Sequence, residues 1–333
     1  MRSRFLIRCD ANVQNGFGHF SRCLNLARGI RRRLPQSKIV FLGHYDDIPF
    51  QLIKKYQMDY EDGRRSLTDE LKFAQDYDYF ILDSYLITQE YIDNYCHAPI
   101  KFVKIDDFND FNLDKVDLII NFCFRAKEYS YKNKKNCLGV RYFPVREELR
   151  EIRLSNINQF KTKIENIVIF MGAADQYNAG VKITKMLDQI LKNTRINLIT
   201  NKTGHPQASI NDNQIKYLPV ASDVERYLKD ADAVITGGGL TKYDCAYSCI
   251  ANASLSQNPE QDEEVISFAK AGLTYYLGMA QSLDTNKNQV LKELKSFCSM
   301  DMRKSIVQCS RDEFSIDSTE NLVRAILEIN DEK

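Results

Sequence analysis

Two glycine-rich segments carry residue types that could act on a phosphorylated ligand. The first, residues 16–23, reads Gly-Phe-Gly-His-Phe-Ser-Arg-Cys and follows a short apolar stretch. A glycine-rich turn between a strand and a helix can bind an anion on its backbone N–H groups. His19 lies where the strand becomes a helix, and an imidazole takes up a proton near neutral pH. This position suits acid–base chemistry, and it equally suits a buried histidine that caps its helix.

The second segment, Gly237–Gly239, is followed by Leu240, Thr241, Lys242 and Asp244. The backbone N–H groups of such a turn and the ammonium of Lys242 suit phosphate oxygens. Asp244 suits the two hydroxyls of a ribose, because a carboxylate accepts several hydrogen bonds. We therefore predict a diphosphate site at this turn. The simpler alternative is a flexible loop that precedes a solvated helix start.

Further polar side chains stand at the ends of predicted strands. Asp83, Asp106 and Asp107 each follow an apolar stretch. Carboxylates in such places are either functional or cap the next helix. The polar loop at 258–261, which includes Asn258, could close over a sugar or could simply be solvated.

Strand-like and helix-like stretches alternate along the chain and must position these residues. The predicted strands are Phe5–Arg8, Lys38–Leu42, Tyr79–Leu82, Phe102–Ile105, Leu118–Asn121, Asn166–Phe170, Ile196–Thr200, Ile215–Leu218, Ala233–Thr236 and Ala253–Leu255. The predicted helices cover 18–34, 67–75, 88–95, 178–192, 222–228 (capped by Ser222), a stretch from about 240, 263–271 and the tail from about 287 to 330. The charged stretch 146–164 is interpreted as a connector.

This alternation predicts an α/β fold with parallel sheets. The length favours two domains, which we place at 1–150 and 151–330. Each half has one strand–glycine turn–helix unit, so we expect two doubly wound, Rossmann-like domains that face each other across a cleft. The first segment is not a dinucleotide fingerprint, because Ser21 stands where the third glycine belongs and no acidic residue ends the second strand.

Composition narrows the class of protein. Hydrophobic residues make up 44% and charged residues 27%, and the 46 lysines and arginines balance 45 acidic residues, so no nucleic-acid partner is expected. The 9 cysteines form no C-x-x-C pair and no zinc set, which predicts reduced thiols in a cytoplasmic protein without a metal. No leader or membrane span is predicted. His44, His97 and His205 are interpreted as structural.

Five motifs resemble the UDP-sugar hydrolases of pseudaminic acid biosynthesis (PseG-like proteins). Their relatives include spore-coat polysaccharide proteins and MurG-type glycosyltransferases. The motifs occur in the same order over about residues 4–280: Gly16-Phe-Gly-His-Phe-Ser-Arg-Cys-Leu24, Ile81-Leu-Asp-Ser-Tyr85, Ile105-Asp-Asp107, Ile169-Phe-Met-Gly-Ala-Ala-Asp175 and the glycine turn with Thr241-Lys-Tyr-Asp244.

The resemblance implies a GT-B fold with a UDP-sugar between its two domains and no cofactor. The family hydrolase releases UDP from UDP-2,4-diacetamido-2,4,6-trideoxy-β-L-altropyranose without a metal, by attack of water on the anomeric carbon. His19 matches the base that activates this water. Tyr85 matches a tyrosine near the sugar, and Asn258 lies in the matching sugar-side loop. Gly16 and Gly18 would make room for sugar and water.

The second half matches the uridine diphosphate site of the family. The matching residues are Gly172, Gly238, Gly239, Leu240, Thr241, Lys242 and Asp244. Asp244 stands where relatives usually carry glutamate on the ribose. The same machinery would serve a glycosyltransferase, in which a glycan or lipid-linked acceptor replaces water and the protein contacts a membrane peripherally. A non-catalytic nucleotide-sugar binding protein is the third alternative.

Overall fold

The chain forms two compact units in a computed structural model that describes residues 3–11, 17–132, 135–172, 175–201, 208–220 and 223–329. Unit 1 is Met1–Val145 together with Asp317–Lys333, and unit 2 is Arg146–Ile316. The chain therefore divides at residue 145 rather than at the expected residue 150, and its last helix belongs to unit 1 rather than to unit 2.

Unit 1 contains a seven-stranded parallel sheet with strand order β3-β2-β1-β4-β5-β6-β7. Its strands are β1 Arg4–Arg8, β2 Lys38–Gly43, β3 Asp59–Asp62, β4 Tyr79–Leu82, β5 Lys101–Ile105, β6 Leu118–Asn121 and β7 Asn136–Leu138. The central strands are buried on both faces, so they are almost continuously apolar. The edge strands β3 and β7 are absent from the sequence prediction, because β3 is polar and β7 has only 3 residues.

Helices α1–α4 connect the strands of unit 1. Their bounds are α1 Gly18–Arg33, α2 Asp47–Lys55, α3 Leu67–Ala74 and α4 Gln89–Cys96. Thr88 caps α4, because its side chain accepts a hydrogen bond from the Tyr91 N–H at 3.2 Å. Helix α1 buries its apolar side chains at helical spacing, as predicted.

Unit 2 contains a six-stranded parallel sheet with strand order β10-β9-β8-β11-β12-β13. Its strands are β8 Asn166–Phe170, β9 Arg195–Ile199, β10 Gln214–Leu218, β11 Ala233–Thr236, β12 Ala251–Ser256 and β13 Tyr275–Met279. This strand order is that of a Rossmann domain. The apolar strands and α6 share one core that includes Ile167, Ile183 and Ile235.

In the sequence of unit 2, the first helix precedes the first strand of the sheet. The helices are α5 Glu147–Asn156, α6 Ala179–Ile190, α7 Glu225–Leu228, α8 Thr241–Tyr247, α9 Pro259–Lys270, α10 Lys287–Cys298 and α11 Met300–Glu313. Most of the stretch interpreted as a connector is thus helical: α5 buries Leu149, Ile152 and Arg153. Ser222, the predicted cap of the seventh helix, lies outside the described residues, as does His205.

The last helix, α12 Ser318–Leu327, packs on α1 of unit 1. The two helices approach closely at Gly29, where an added Cβ would lie 2.5 Å from the Thr319 methyl group. Arg32 and Glu320 form an ion pair at 2.6 Å beside this contact. The α12 amphipathic pattern is visible in the sequence, but the partner of its apolar face is not. None of the helices in the described part of the chain has the length and apolar character needed to cross a membrane.

Candidate functional site

Both glycine-rich segments lie where the strand order of a sheet reverses. In unit 1, β1 lies between β2 and β4, and in unit 2, β8 lies between β9 and β11. The loops that leave two such neighbouring strands diverge, and the crevice between them is the usual ligand site of doubly wound sheets. The loop after β1 leads into α1, and the loop after β11 carries Gly237–Gly239.

His19 is the second residue of α1, directly after Gly18, which is exposed. Phe17 occupies the N-cap position and no side chain caps it, so His19 is inside the helix and is not its cap residue. Gly16 lies outside the described residues.

The imidazole of His19 is largely buried beside a carboxylate and a phenol. Its Nε2 lies 3.9 Å from Oδ1 of Asp83, and its ring meets the Tyr85 ring edge-on with the ring centres 4.3 Å apart. Burial lowers the pKa of His19, the Asp83 charge opposes this and the Arg22 charge adds to it, so the pKa lies below its ordinary value. A neutral imidazole is the form that can accept a proton.

Arg22, one turn after His19 on α1, is buried between two carboxylates. Its Nε and Nη2 donate to Asp83 at 2.6 Å each, and its Nη1 and Nη2 donate to Asp107 at 3.0 and 2.8 Å. Burial raises the pKa of Asp107, but the Arg22 charge and hydrogen bonds outweigh it and hold this pKa well below its usual range. Tyr85 Oη donates to Asp107 from the other side.

Two further charged side chains, Asp106 and Lys104, are buried near this group. Asp106 accepts hydrogen bonds from the Tyr131 hydroxyl and, at 2.9 Å, from the Asn109 N–H. Burial raises its pKa. Burial lowers the pKa of Lys104, against the charges of the three nearby carboxylates, and its ammonium donates to the Ile105 carbonyl. Asp106 therefore closes a turn at the end of β5, and neither it nor Asp107 caps a helix.

An apolar rim is exposed next to His19. Tyr85 is 50% exposed, Leu86 73% and Phe108 44%. The Tyr85 and Phe108 rings are in contact, with their centres 5.3 Å apart. Because single exposed apolar residues are common, the informative feature is that these three belong to the two loops that also carry Asp83 and Asp107.

In unit 2 the turns after β8 and β11 approach each other closely. A Cβ on Gly237 would lie 2.3 Å from the Met171 carbonyl oxygen, so only glycine fits there. Gly172 and Gly238 have φ values of +90° and +82°, which favour glycine. A Cβ on Gly172 or Gly239 would meet no atom within 4 Å among the described residues. Ala173 and Ala174 lie outside the described residues.

Lys242 lies against the glycine turn from the protein side. Its Nζ donates to the Gly238 carbonyl at 2.8 Å, and it lies 4.4 Å from the centre of the Tyr243 ring. The side chain is buried, and its hydrogen bond to the Gly238 carbonyl holds the turn. Leu240 and Thr241, the first residues after the turn, are half-buried.

Asp244 is buried at the end of the first turn of α8, beside the ion pair of Arg146 and Glu225. Its Oδ2 lies 3.9 Å from Nε of Arg146, whose Nη1 lies 3.1 Å from a Glu225 carboxylate oxygen. Burial raises the pKa of Asp244, Arg146 lowers it and Glu225 raises it, with a result of about 6.

Asn258 is the N-cap of α9 and is exposed. Its side-chain oxygen accepts the Gln261 N–H at 2.8 Å. Gln261 Oε1 in turn lies 3.7 Å from the position of a Cβ on Gly238, so the start of α9 adjoins the glycine turn. The predicted polar loop is therefore a helix start next to the predicted diphosphate site.

Sequence reasoning did not identify Arg22, Lys104 or Arg146. Each is a cation that the residue pattern alone assigns to a solvated surface, because buried arginines and lysines are rare. For Arg22 and Lys104 the available signal was the strand-end carboxylates, since buried carboxylates require a cationic or hydrogen-bonding partner. Among the described residues, no group of three or more histidine, cysteine, aspartate or glutamate side chains could hold a metal ion.

Comparison with known proteins gives two distant relatives by sequence, and no family model matches the chain. An uncharacterized protein of Methanocaldococcus jannaschii is 24% identical over 78% of this chain, and this chain spans only 57% of that protein. The spore coat polysaccharide biosynthesis protein SpsG of Bacillus subtilis is 22% identical over 83% of this chain and 84% of its own length.

Solved structures resemble the whole chain. MurG of Acinetobacter baumannii has a TM-score of 0.73 at 12% identity, with 98% of this chain and 100% of MurG covered. The UDP-GlcNAc 2-epimerase of Neisseria meningitidis, solved with UDP-GlcNAc bound, has a TM-score of 0.61 at 9% identity, with 98% of this chain and 100% of the epimerase covered. Together with the two sheet topologies, these likenesses confirm a GT-B-like fold of two Rossmann-like domains.

Proposed function

We propose that this chain is a nucleotide-sugar hydrolase of surface-glycan (nonulosonic acid) biosynthesis. In this proposal it releases UDP from a UDP-2,4-diacetamido-2,4,6-trideoxyhexose without a metal. The observation that carries it is His19, a largely buried histidine with a lowered pKa beside Asp83 and Tyr85. It lies at the start of α1, after the strand at which the strand order of unit 1 reverses. The SpsG relative, whose name refers to polysaccharide biosynthesis, and the UDP-GlcNAc-bound epimerase support the pathway and ligand class.

The proposed reaction needs one base and one anion site. Water attacks the anomeric carbon as the bond from that carbon to the UDP oxygen breaks, and UDP leaves with the electron pair. The neutral imidazole of His19 takes the proton of the water, which is worth roughly 100- to 10,000-fold in rate. Backbone N–H groups at Gly238 and Gly239, with Lys242 behind them, would stabilise the charge that develops on the diphosphate.

The proposal also assigns the residues that contact the ribose and the sugar. Asp244 would accept hydrogen bonds from the ribose hydroxyls, and Gly172 would let the diphosphate approach the backbone after β8. Tyr85 and Asn258 would contact the sugar. Gly18, which is exposed, would leave room for the sugar and the water.

A GT-B glycosyltransferase is the second candidate, and the apolar rim of Tyr85, Leu86 and Phe108 favours it. A lipid-linked acceptor needs an exposed apolar surface near the base that deprotonates its hydroxyl. In that reaction His19 would take the proton of an acceptor hydroxyl instead of water.

One assay separates the two candidates. The protein is incubated with a panel of UDP-sugars in EDTA, without an acceptor, and UDP release is followed. We expect release from a diacetamido-trideoxyhexose donor. Release that begins only when a lipid-linked sugar acceptor is added would overturn the hydrolase in favour of the transferase. A protein that binds UDP-sugars but releases UDP in neither condition would be a binding protein.

A further inference from the structure

Arg22 holds two carboxylates, one of which lies beside His19 and the other beside Tyr85. Asp83 follows β4 and Asp107 follows β5, so adjacent parallel strands place both at one sheet edge. Four hydrogen bonds between 2.6 and 3.0 Å join them to one guanidinium. Such bidentate contacts fix geometry as well as charge. The Phe122 ring lies 4.9 Å behind the guanidinium carbon.

Each carboxylate also contacts one residue of the candidate site. Asp83 Oδ1, which accepts from Arg22, is the atom 3.9 Å from His19 Nε2. Asp107 Oδ2, which also accepts from Arg22, takes the hydrogen bond of the Tyr85 hydroxyl. The His19 and Tyr85 rings are in edge-on contact, so the five groups form a closed ring of contacts.

We propose that Arg22 is a positioning residue that clamps Asp83 behind His19 and Asp107 behind Tyr85, so that one guanidinium sets the place of both side chains. This inference rests on the proposed function for its meaning in catalysis. Its structural part, the coupling of Arg22 to His19 through Asp83, stands without that function.

The coupling has a consequence for the charge of His19. The charged and titratable groups that face it are Asp83 and Tyr85 from the loop after β4, Asp107 and Lys104 from β5 and its loop, and Arg22 from α1. Loss of Arg22 removes a cation that disfavours the imidazolium and frees two carboxylates that favour it. Arg22→Lys keeps the cation but cannot hold both carboxylates with bidentate contacts, so a shift of the His19 titration in this variant reports lost positioning and not lost charge.

The test is an NMR titration of the histidine ring signals in the full chain. Only 4 histidines are present, so loss of one signal in His19→Asn assigns His19. We expect the His19 midpoint to move to higher pH in Arg22→Gln, to move less in Arg22→Lys, and to move to lower pH in Asp83→Asn. Arg28→Gln is the matched control, because Arg28 is on the same helix but stacks on Tyr56 at 4.3 Å.

Circular dichroism identifies the variants that fold. If Arg22→Gln does not fold, Arg22→Lys and Asp83→Asn carry the test. A His19 midpoint that stays at the wild-type value in the folded variants, or that moves as far in Arg28→Gln, would overturn the proposal.

Turnover separates this proposal from the proposed function. On a UDP-sugar that the wild type hydrolyses, we expect Arg22→Lys to lower kcat roughly 100-fold, as misplacement of a reacting group does, with little change in KM. If no UDP-sugar is hydrolysed but the titrations move as expected, the proposed function fails and the positioning role stands. If turnover is present and the titrations do not move, the positioning role fails and the proposed function stands.

Discussion

The imidazole of His19 lies among groups that act on its charge in opposite directions. Burial, the largest effect, removes the water that would solvate an imidazolium, and Arg22 adds repulsion. Asp83 favours the charged form but is engaged by Arg22 at 2.6 Å. A general base must be unprotonated at the pH at which it works, so this balance suits a base better than it suits an acid.

The balance at His19 predicts the pH dependence of turnover. A base acts only when it is deprotonated, so kcat/KM should fall as pH drops through the His19 pKa, with a midpoint below the ordinary 6.5 of imidazole. His19→Asn should lower kcat by roughly 100- to 10,000-fold. His97→Asn is the control, because His97 is exposed at the end of α4. A midpoint above 6.5, or near-normal turnover of His19→Asn, would contradict the assignment.

Asp244 predicts a separate pH effect on nucleotide binding. Its pKa of about 6 means that the carboxylate loses its charge as pH falls through that value. The affinity for uridine, which has no phosphate that titrates near pH 6, should be constant above about pH 7 and should weaken below about pH 6 when it is measured by calorimetry. Asp244→Asn should weaken binding about 10- to 100-fold at pH 8, the loss expected for hydrogen bonds to a charged group, and should remove the pH effect.

The control for Asp244 is Asp284→Asn, which removes an exposed carboxylate paired with Lys182 in the same unit. If both variants bind UDP like the wild type, Asp244 does not contact the nucleotide.

Residue types at strand ends could be predicted from the sequence, but their partners could not. Asp83, Asp106 and Asp107 follow apolar runs, so their place at the sheet edge follows from the parallel pattern. Arg22 could not be identified, because its burial depends on carboxylates 61 and 85 positions away in the chain. Such long-range pairing leaves no trace in local periodicity.

At the scale of elements, the glycine turn after β11 combines two separate requirements. Gly237 is needed because the Met171 backbone after β8 is too close for a side chain. Gly239 has open space instead, so the fold does not require glycine there. In the proposed function, the second requirement is that the nucleotide can approach the turn at Gly239.

Alanine substitutions at the turn test this distinction. Gly237→Ala places Cβ 2.3 Å from the Met171 carbonyl oxygen and should destabilise the protein by about 1–3 kcal/mol in urea unfolding, as overpacking does. Gly239→Ala should unfold within about 0.5 kcal/mol of the wild type, as surface substitutions do, but should bind UDP more weakly. Equal UDP affinity of Gly239→Ala and the wild type would remove this turn from the nucleotide site.

Strongly periodic elements could be predicted from the sequence, whereas polar ones could not. The predicted starts of α1 at Gly18 and of β4 at Tyr79 are confirmed. The sequence predicts a connector in place of α5, because the charged residues of this stretch outnumber the buried ones, Leu149, Ile152 and Arg153. Arg153 is buried because its guanidinium donates to backbone carbonyls such as that of Tyr247, at 2.6 Å, and such a partner is not visible in the sequence.

At the scale of the whole molecule, unit 1 is built from two separate segments of the chain, and unit 2 lies between them in the sequence. The chain completes unit 2 at Ile316 and then returns to unit 1 with α12. The Thr319 hydroxyl accepts the Val145 N–H at 2.8 Å, which joins the end of the first segment of unit 1 to the start of the returning one. A linear division into two domains cannot represent this, because no sequence signal marks which sheet a terminal helix covers.

The contact of α12 with α1 predicts a stability effect confined to unit 1. Gly29→Val adds a side chain where the Thr319 methyl group lies 2.5 Å from the Cβ position, and should cost about 1–3 kcal/mol by overpacking. Thr319→Ser removes that methyl group and keeps the hydroxyl that Val145 uses, so it should recover part of the loss. Hydrogen exchange should rise in peptides from 18–33 and 318–327 but not in 166–170 or 233–236. Equal changes in both units would show that α12 does not stabilise unit 1 selectively.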